Sequence, residues 1–261
     1  MKPFFKKNLI TILLFCFIYL SLQVVASTPV IRNELSSSLA EFKNTVERQA
    51  REFPEIFFIS RPEIEEKRIA LTFDDGPDGE FTPAILDILK ENNIKATFFL
   101  LGENVARFPE VSLRIHREGH LIGNHSWSHP DFRNLEVEDI IDREIKPTAE
   151  AIFQITGENP VFIRPPYGAI KDETIKELGN KGYKIVNWSV DTFDWDINLN
   201  SPDAIVQRVL KFAHPGDIIL LHSGGGDREN TVAALGYIIK FLQEKGFQFV
   251  SVEELLSENE S

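Results

Sequence analysis

RIALTFDDGP, residues 68–77, is a β-prone apolar run that ends in two adjacent carboxylates and a Gly-Pro turn. A strand that feeds straight into Asp74 and Asp75 places polar chemistry at its C-terminal end. Side chains alternate along a strand, so the two acids are expected to diverge and take separate tasks. A turn by itself accounts for Gly76 and Pro77, but it does not call for two acids. Working outward, six further short apolar runs follow: Ala96–Leu101, Leu121–Asn124, Val161–Arg164, Tyr183–Val190, Ile218–His222 and Gln248–Val250. Helical patterns lie between them, at Thr82–Glu91, Val105–Glu118, Glu136–Thr156, Asp172–Lys181, Ser201–Phe212 and Thr231–Lys245. Ser201-Pro202-Asp203 is a helix start, and Gly119, Gly157, Gly182 and Gly246 sit where helices should stop. Strands alternating with helices predict an α/β fold with a parallel sheet, right-handed crossovers and an outer layer of helices. An open doubly wound sheet and a closed or nearly closed barrel both fit that pattern.

Five polar clusters sit at or just past the C-terminal ends of these runs: Asp74-Asp75, His125, Arg164, Asp191 with Asp194, and His222. In α/β barrels that end is where chemistry gathers. His125 and His129 stand four apart in HSWSH, residues 125–129. They can point the same way if the segment makes one helical turn, which Pro130 then ends. Two imidazoles and one carboxylate leave positions open for water and substrate, as a catalytic metal site requires. Asp74-Asp75 allows one acid to bind such a metal while the other takes a proton.

The composition narrows the chemistry further. The 261 residues are 43% hydrophobic and 26% charged, ordinary for a folded protein with a sizeable core. Twenty-eight basic and 40 acidic side chains give a formal charge of −12, which speaks against a nucleic-acid partner. The single cysteine, Cys16, excludes a disulfide framework, a thiolate zinc site and a thiol nucleophile in the rest of the chain. A metal must therefore be held by His, Asp or Glu. Residues 1–26 read as a signal peptide or an N-terminal membrane anchor. Lys2, Lys6 and Lys7 precede an apolar run from Leu9, and Val24-Val25-Ala26 offers a small-residue cleavage site. Residues 9–26 are long enough for membrane anchoring if they are retained. The working part is thus expected outside the cytoplasm, secreted or anchored to the outer face of the membrane. Residues 27–66 read as an N-terminal extension or stalk, with a charged helix over Glu41–Phe53 and a short strand over Glu55–Ser60.

TFDDGP at 72–77, HSWSH at 125–129, RPPYG at 164–168, DTFDW at 191–195 and LLH at 220–222 occur in that order, none of them broken. This series resembles the polysaccharide deacetylase family, also called the NodB-homology domain or carbohydrate esterase family 4. The resemblance covers residues 67–256 as a catalytic domain and leaves 257–261 as a tail. It implies a distorted (β/α) barrel of about seven parallel strands with outer helices, which agrees with the seven runs. It implies one divalent metal, usually zinc, with Co2+, Mn2+ or Fe2+ also suited to such ligands. It implies hydrolysis of N-acetyl groups on amino-sugar polymers.

Position by position, the resemblance makes Asp75, His125 and His129 the metal ligands and Asp74 the general base. Arg164 would pair with Asp74. The backbone N–H of Tyr167 would stabilise the oxyanion while its ring lines the groove. His222 would be the general acid, oriented by Asp194, and Trp195 and Leu220 would wall a pocket for the acetyl methyl. The chemistry is coherent, because a sugar nitrogen cannot leave as an anion and must be protonated while water is deprotonated opposite.

Other residues take plainer readings. Ser223 lacks a G-x-S-x-G elbow, so a serine hydrolase is disfavoured. Gly224-Gly225-Gly226 reads as a flexible loop near the substrate. His116, His120 and His214 are assigned to the surface or helix ends, and Trp188 to a core strand. Asp191 either braces its loop or is the acid that contacts His222. The expected substrate is an N-acetylglucosamine polymer, peptidoglycan first and chitin-type oligomers next. The alternatives are acetylxylan ester hydrolysis at the same site and a catalytically silent envelope protein that binds glycan.

Overall fold

The computed structural model of the protein describes residues 29–64 and 66–257. The expected signal or anchor segment, 1–26, and the tail after Ser257 lie outside the described residues. Among those described, no helix is long and apolar enough to cross a membrane. The chain divides into two compact units, Met1–Arg48 and Gln49–Ser261. A helix, Pro29–Glu52, accounts for the described part of the first and opens the second.

Among its described residues the second unit holds nine strands: β1 Phe57–Phe58, β2 Arg68–Gly76, β3 Thr97–Leu100, β4 Leu121–Asn124, β5 Phe162–Ile163, β6 Lys184–Val186, β7 Val190–Asp191, β8 Ile218–His222 and β9 Gln248–Phe249. Eight lie side by side in the order β1-β6-β5-β4-β3-β2-β8-β7, and β9 pairs with β2. Every strand pair is parallel. The expected parallel α/β sheet is present, with nine strands where seven runs were read.

The run Tyr183–Val190 is two strands rather than one, and its halves fall at opposite ends of the strand order, β7 at one edge and β6 beside the edge strand β1 at the other. Val186 and Val190 are four Cα steps apart, which extended chain spans in roughly 14 Å. The edges are therefore drawn round toward each other, and the sheet is a barrel with a seam rather than an open fan. Residues 57–60 lie across that seam. Phe57 and Phe58 pair with β6, and Ser60 forms an antiparallel bridge with Asp217 at the start of β8. The Gln49 amide donates to Ile170 O and Asp172 Oδ1, both at 2.9 Å. Residues 49–60, which the sequence assigns to an extension, thus contribute to the sheet and its packing. Phe57 is 1% exposed, so its burial, about 2 kcal/mol for a large apolar side chain, depends on that position.

Two other expected elements are interrupted. Val105–Glu118 is a pair of helices, Gly102–Arg107 and Pro109–Arg117, because Pro109 opens the second. Glu136–Thr156 contains a π-helical turn, Ile140–Ile145, ahead of the helix Lys146–Thr156. The main core lies between sheet and helices. Leu71, Phe73, Phe98 and Ile219 meet helix residues Ile85, Leu86, Leu235 and Ile239, all fully buried.

Candidate active site

Strand register brings the polar clusters to one rim. Asp74 pairs with His222 across β2 and β8, so the two residues expected as base and acid are cross-strand neighbours. Gly76 pairs with Leu100, Leu100 with Asn124, and Asn124 with Ile163. His125 and Arg164 each follow directly on such a residue. With five parallel strands ending level, their trailing side chains share one floor.

Asp74 and Asp75 do not alternate as a regular strand would make them. The β2–β3 register shifts between Phe73 and Gly76, and Asp75 takes φ 65°. That irregularity turns Asp75 to the same side as Asp74. His125 Nε2 lies 3.4 Å from Asp75 Oδ1 and 3.7 Å from Asp74 Oδ2, and His129 Nε2 lies 3.4 Å from Asp75 Oδ1. The expected helical turn through 125–129 is absent. Ser126 and His129 instead take φ of 78° and 63° in a non-helical loop, which makes the two imidazoles converge edge-to-face at 5.0 Å.

Asp75, His125 and His129 each offer a ligand atom, all within 4.8 Å of one another. His125 Nδ1 lies 2.8 Å from Arg164 O. A carbonyl only accepts, so Nδ1 carries the proton and Nε2 presents a lone pair. Asp75 Oδ1 is buried with no hydrogen-bond partner. A carboxylate oxygen and imidazole lone pairs that face one another without a shared proton suit a cation, and the donor set fits a divalent metal. The Asp75 carboxyl sits well below the usual carboxylate range. Burial opposes that, but close contact with the His125 imidazole, with His222 and His129 beyond it, outweighs it. Burial and the neighbouring His125 charge lower His129.

Arg164 is fully buried and every arm is engaged. Nη1 donates to Asp74 Oδ1 and Thr72 Oγ1, both at 2.8 Å, and Nε and Nη2 donate to Val186 O and Asn187 O at 3.0 Å. Its guanidinium lies over the Phe99 ring at 4.2 Å. Those carbonyls belong to the last residue of β6 and the first residue of the break before β7, so Arg164 holds Asp74 and occupies the point where the strand is interrupted. Trp188, expected in a core strand, lies in the same break, half-buried, 5.6 Å from Arg164.

Opposite, Asp194 is 1% exposed. Its Oδ1 lies 2.7 Å from His222 Nδ1, and its Oδ2 accepts from His222 N and Thr231 Oγ1, both at 2.8 Å. Burial pushes the His222 imidazole down, but the Asp194 carboxylate, with Asp75 and Asp74 beyond, lifts it to about 9. Asp191 braces the loop: its Oδ1 accepts from Phe193 N and from the Trp195 indole. Tyr167, at φ 58°, stacks edge-to-face on His129 at 4.7 Å and is 60% exposed. Trp195 is half-exposed and Leu220 is buried in β8.

Three groups at the rim carried no motif. Arg228, 7% exposed, donates to Gly224 O at 2.7 Å, Gly225 O at 3.2 Å and Asp194 O at 3.4 Å. The glycines it holds are not a loose loop: a Cβ on Gly225 would stand 2.5 Å from Asp75 Oδ2, and one on Gly224 2.4 Å from Asp75 O. Glu144 is buried and accepts from the histidine loop. Thr231 caps Asp194. A polar residue inside a helical pattern is the only sequence sign of Glu144 and Thr231, and exposed helices carry the same sign. Ser223 is structural, with its N–H on Asp74 O and its own carbonyl accepting from Thr82 Oγ1.

At the other end of the sheet a cavity of about 400 Å³ is lined by Lys95, His116, His120 and Glu158, among others. His120 takes the helix-end reading rather than the surface one: it is 6% exposed, its N–H donates to Ile115 O at 3.2 Å, and its Nδ1 accepts from Ala96 N at 3.1 Å. None of the five motifs reaches this cavity.

The chain is a parallel barrel with metal-ligand geometry at its C-terminal rim, and it belongs to the polysaccharide deacetylase family. The family profile described as polysaccharide deacetylase matches residues 61–186. A peptidoglycan-N-acetylglucosamine deacetylase of Bacillus cereus is 48% identical over 188 residues, 72% of this chain and 67% of that protein. A peptidoglycan-N-acetylmuramic acid deacetylase of Bacillus subtilis is 38% identical over 75% of this chain and 73% of its own. A crystal structure of a peptidoglycan N-acetylglucosamine deacetylase, bound to 4-naphthalen-1-yl-N-oxidanyl-benzamide, has a TM-score of 0.72 at 45% identity, covering 76% of this chain and 91% of that one.

Proposed function

We propose that this chain removes N-acetyl groups from N-acetylglucosamine residues of peptidoglycan outside the cytoplasm, using one divalent cation held by Asp75, His125 and His129. One observation carries the reading. Asp74 and His222 face each other across β2 and β8, beside three converging ligand atoms, and each is locked by its own buried partner. The N₂O ligand set supports zinc. The names of the relatives support peptidoglycan, and with the basic-then-apolar N-terminus they support an extracytoplasmic site.

When bound, the cation supplies Lewis acidity for the acetyl carbonyl and for the attacking water. Asp74 takes the proton as water attacks, its other oxygen held by Arg164. The Tyr167 N–H donates to the developing oxyanion. His222, its Nδ1 occupied by Asp194, delivers the Nε2 proton to the departing sugar nitrogen, which leaves as an amine. Trp195 and Leu220 enclose the acetyl methyl. No serine is acylated.

The test is acetate release from peptidoglycan, chitopentaose and acetylxylan by the full chain with zinc, against a His125→Ala control. Release from peptidoglycan or the chitin oligomer supports the proposal. Release only from acetylxylan moves the activity to esters. None above the control leaves a glycan-binding protein.

A further inference from the structure

The loop between the two histidines adopts a conformation that its own sequence does not favour. Non-glycine residues at positive φ cost of order 1 kcal/mol or more, and this loop has two of them, Ser126 and His129. Something must hold them there. The backbone donors of 125–129 account for it. His125 N donates to Leu100 O, continuing the β3–β4 ladder. Ser126 N donates to Asn124 Oδ1 and His129 N to Ser126 Oγ, closures within the loop itself. The remaining two, Trp127 N and Ser128 N, both donate to Glu144 Oε2 at 2.9 Å, and Ser128 Oγ–H donates to Oε1 at 3.0 Å.

Glu144 is 8% exposed and lies in the π-helical turn Ile140–Ile145. The wider turn also leaves Ile145 O able to accept from Asn124 Nδ2 at 2.9 Å. One irregular turn therefore grips the loop twice, through a carboxylate near its C-terminal end and through the asparagine that precedes His125. Single π-turns within helices recur at functional sites for this kind of re-aiming. No other charged side chain is hydrogen-bonded to residues 126–128 among the described contacts.

We infer that Glu144 is a positioning residue for the metal site: it pins the loop between His125 and His129 so that both Nε2 atoms reach Asp75. The inference rests on the proposed ligand set. Among the described hydrogen bonds and ion pairs, the Glu144 carboxylate reaches none of the three ligand side chains. It acts through the backbone of Trp127 and Ser128, as outer groups around metal ligands do when their loss costs ~10–100-fold in affinity.

The test is Zn2+ affinity of the full chain, measured by competition with a chromophoric chelator. Glu144→Asp keeps the charge but withdraws the carboxylate by about one methylene, and is expected to weaken zinc binding about tenfold. Glu144→Gln keeps the reach: its oxygen can take both backbone N–H groups and its amide can donate to Ser128 Oγ. It is expected to stay within about threefold of the parent. Glu144→Leu removes all three bonds and is expected to lose the most; if it does not fold, the Asp and Gln pair decides. Unchanged affinity in Glu144→Asp overturns the inference, and so does a Gln variant as weak as the Asp one. His129→Ala separates the two readings. If it binds zinc as the parent does, the ligand set fails, whatever Glu144 does.

Discussion

The two ends of the sheet each bury a histidine, and they drive it in opposite directions. At the C-terminal rim, His222 loses water but gains the Asp194 carboxylate, and its imidazole rises to about 9. At the N-terminal end, His120 loses water, gains a backbone N–H and feels Lys95 more than the opposing Glu118, and falls to about 4. Near neutral pH the first is a proton donor and the second a neutral acceptor that ends a ladder. Burial alone does not make a titrating group useful; the buried counter-charge does. The rim also concentrates backbone strain at Asp75, Ser126, His129 and Tyr167, all at positive φ. Such strain persists only where surrounding bonds over-determine it.

That contrast breaks most visibly on metal removal. Chelation is expected to abolish acetate release and zinc to restore it, while the thermal unfolding of His120→Asn relative to the parent stays the same in both states. Next is Asp194→Asn, which withdraws the charge and leaves a near-isosteric partner. It should lower kcat by about 10²–10⁴-fold, the usual worth of a positioned general acid, with KM little changed. Steady-state kinetics on a chitin oligomer would read it.

The third test is pH. As the proposed general acid His222 acts only when protonated, so kcat should fall about tenfold per unit above pH ~9, and in Asp194→Asn that limb should move down toward the ordinary histidine value. Stability follows the same signs. The folded value of His222 is raised, so its contribution is full below about 6.5 and is lost as pH rises through about 9. The folded value of His120 is lowered, so the native state loses stability as pH falls from about 6.5 through about 4. Urea midpoints of parent, His222→Asn and His120→Asn at pH 4, 7 and 9.5 would separate the two.

Arg228→Ala should cost about 10-fold in kcat/KM, because it frees the glycine loop that crowds Asp75 and the carbonyl of Asp194 together. The smallest functional effect belongs to His120→Phe. It fills the volume but leaves Ala96 N without its acceptor, so stability should drop by about 1–3 kcal/mol while kcat/KM stays within about twofold. A large activity loss there would erase the distinction between the ends.

Much of this was legible from the chain. The runs Leu121–Asn124 and Ile218–His222 match their strands residue for residue, because apolar β-prone stretches between helix stops leave little choice. The motif residues do meet at one rim. What failed were local rules applied where the tertiary structure overrides them. Alternation along a strand did not hold for Asp74 and Asp75, because the β2–β3 pairing shifts there. The i, i+4 rule did not explain His125 and His129, because Glu144 and Asn124 hold a different backbone. Tyr183–Val190 looked continuous because its apolar pattern is; Arg164, reaching in from β5, consumes the carbonyls at the break. The seam closed by Phe57–Ser60 joins residues more than a hundred positions apart, and no local pattern announces that.

Sequence alone determined the alternation of strands and helices, the exclusion of cysteine chemistry, and the residue types available for one metal and one proton relay. Those depend on side-chain chemistry and on periods of a few residues, which a linear string contains. Tertiary structure decided which aspartate orients His222, which buried acid holds the histidine loop, where the barrel closes and which histidine is charged. Each of those depends on distances between residues far apart in the chain, and on how much water their meeting excludes.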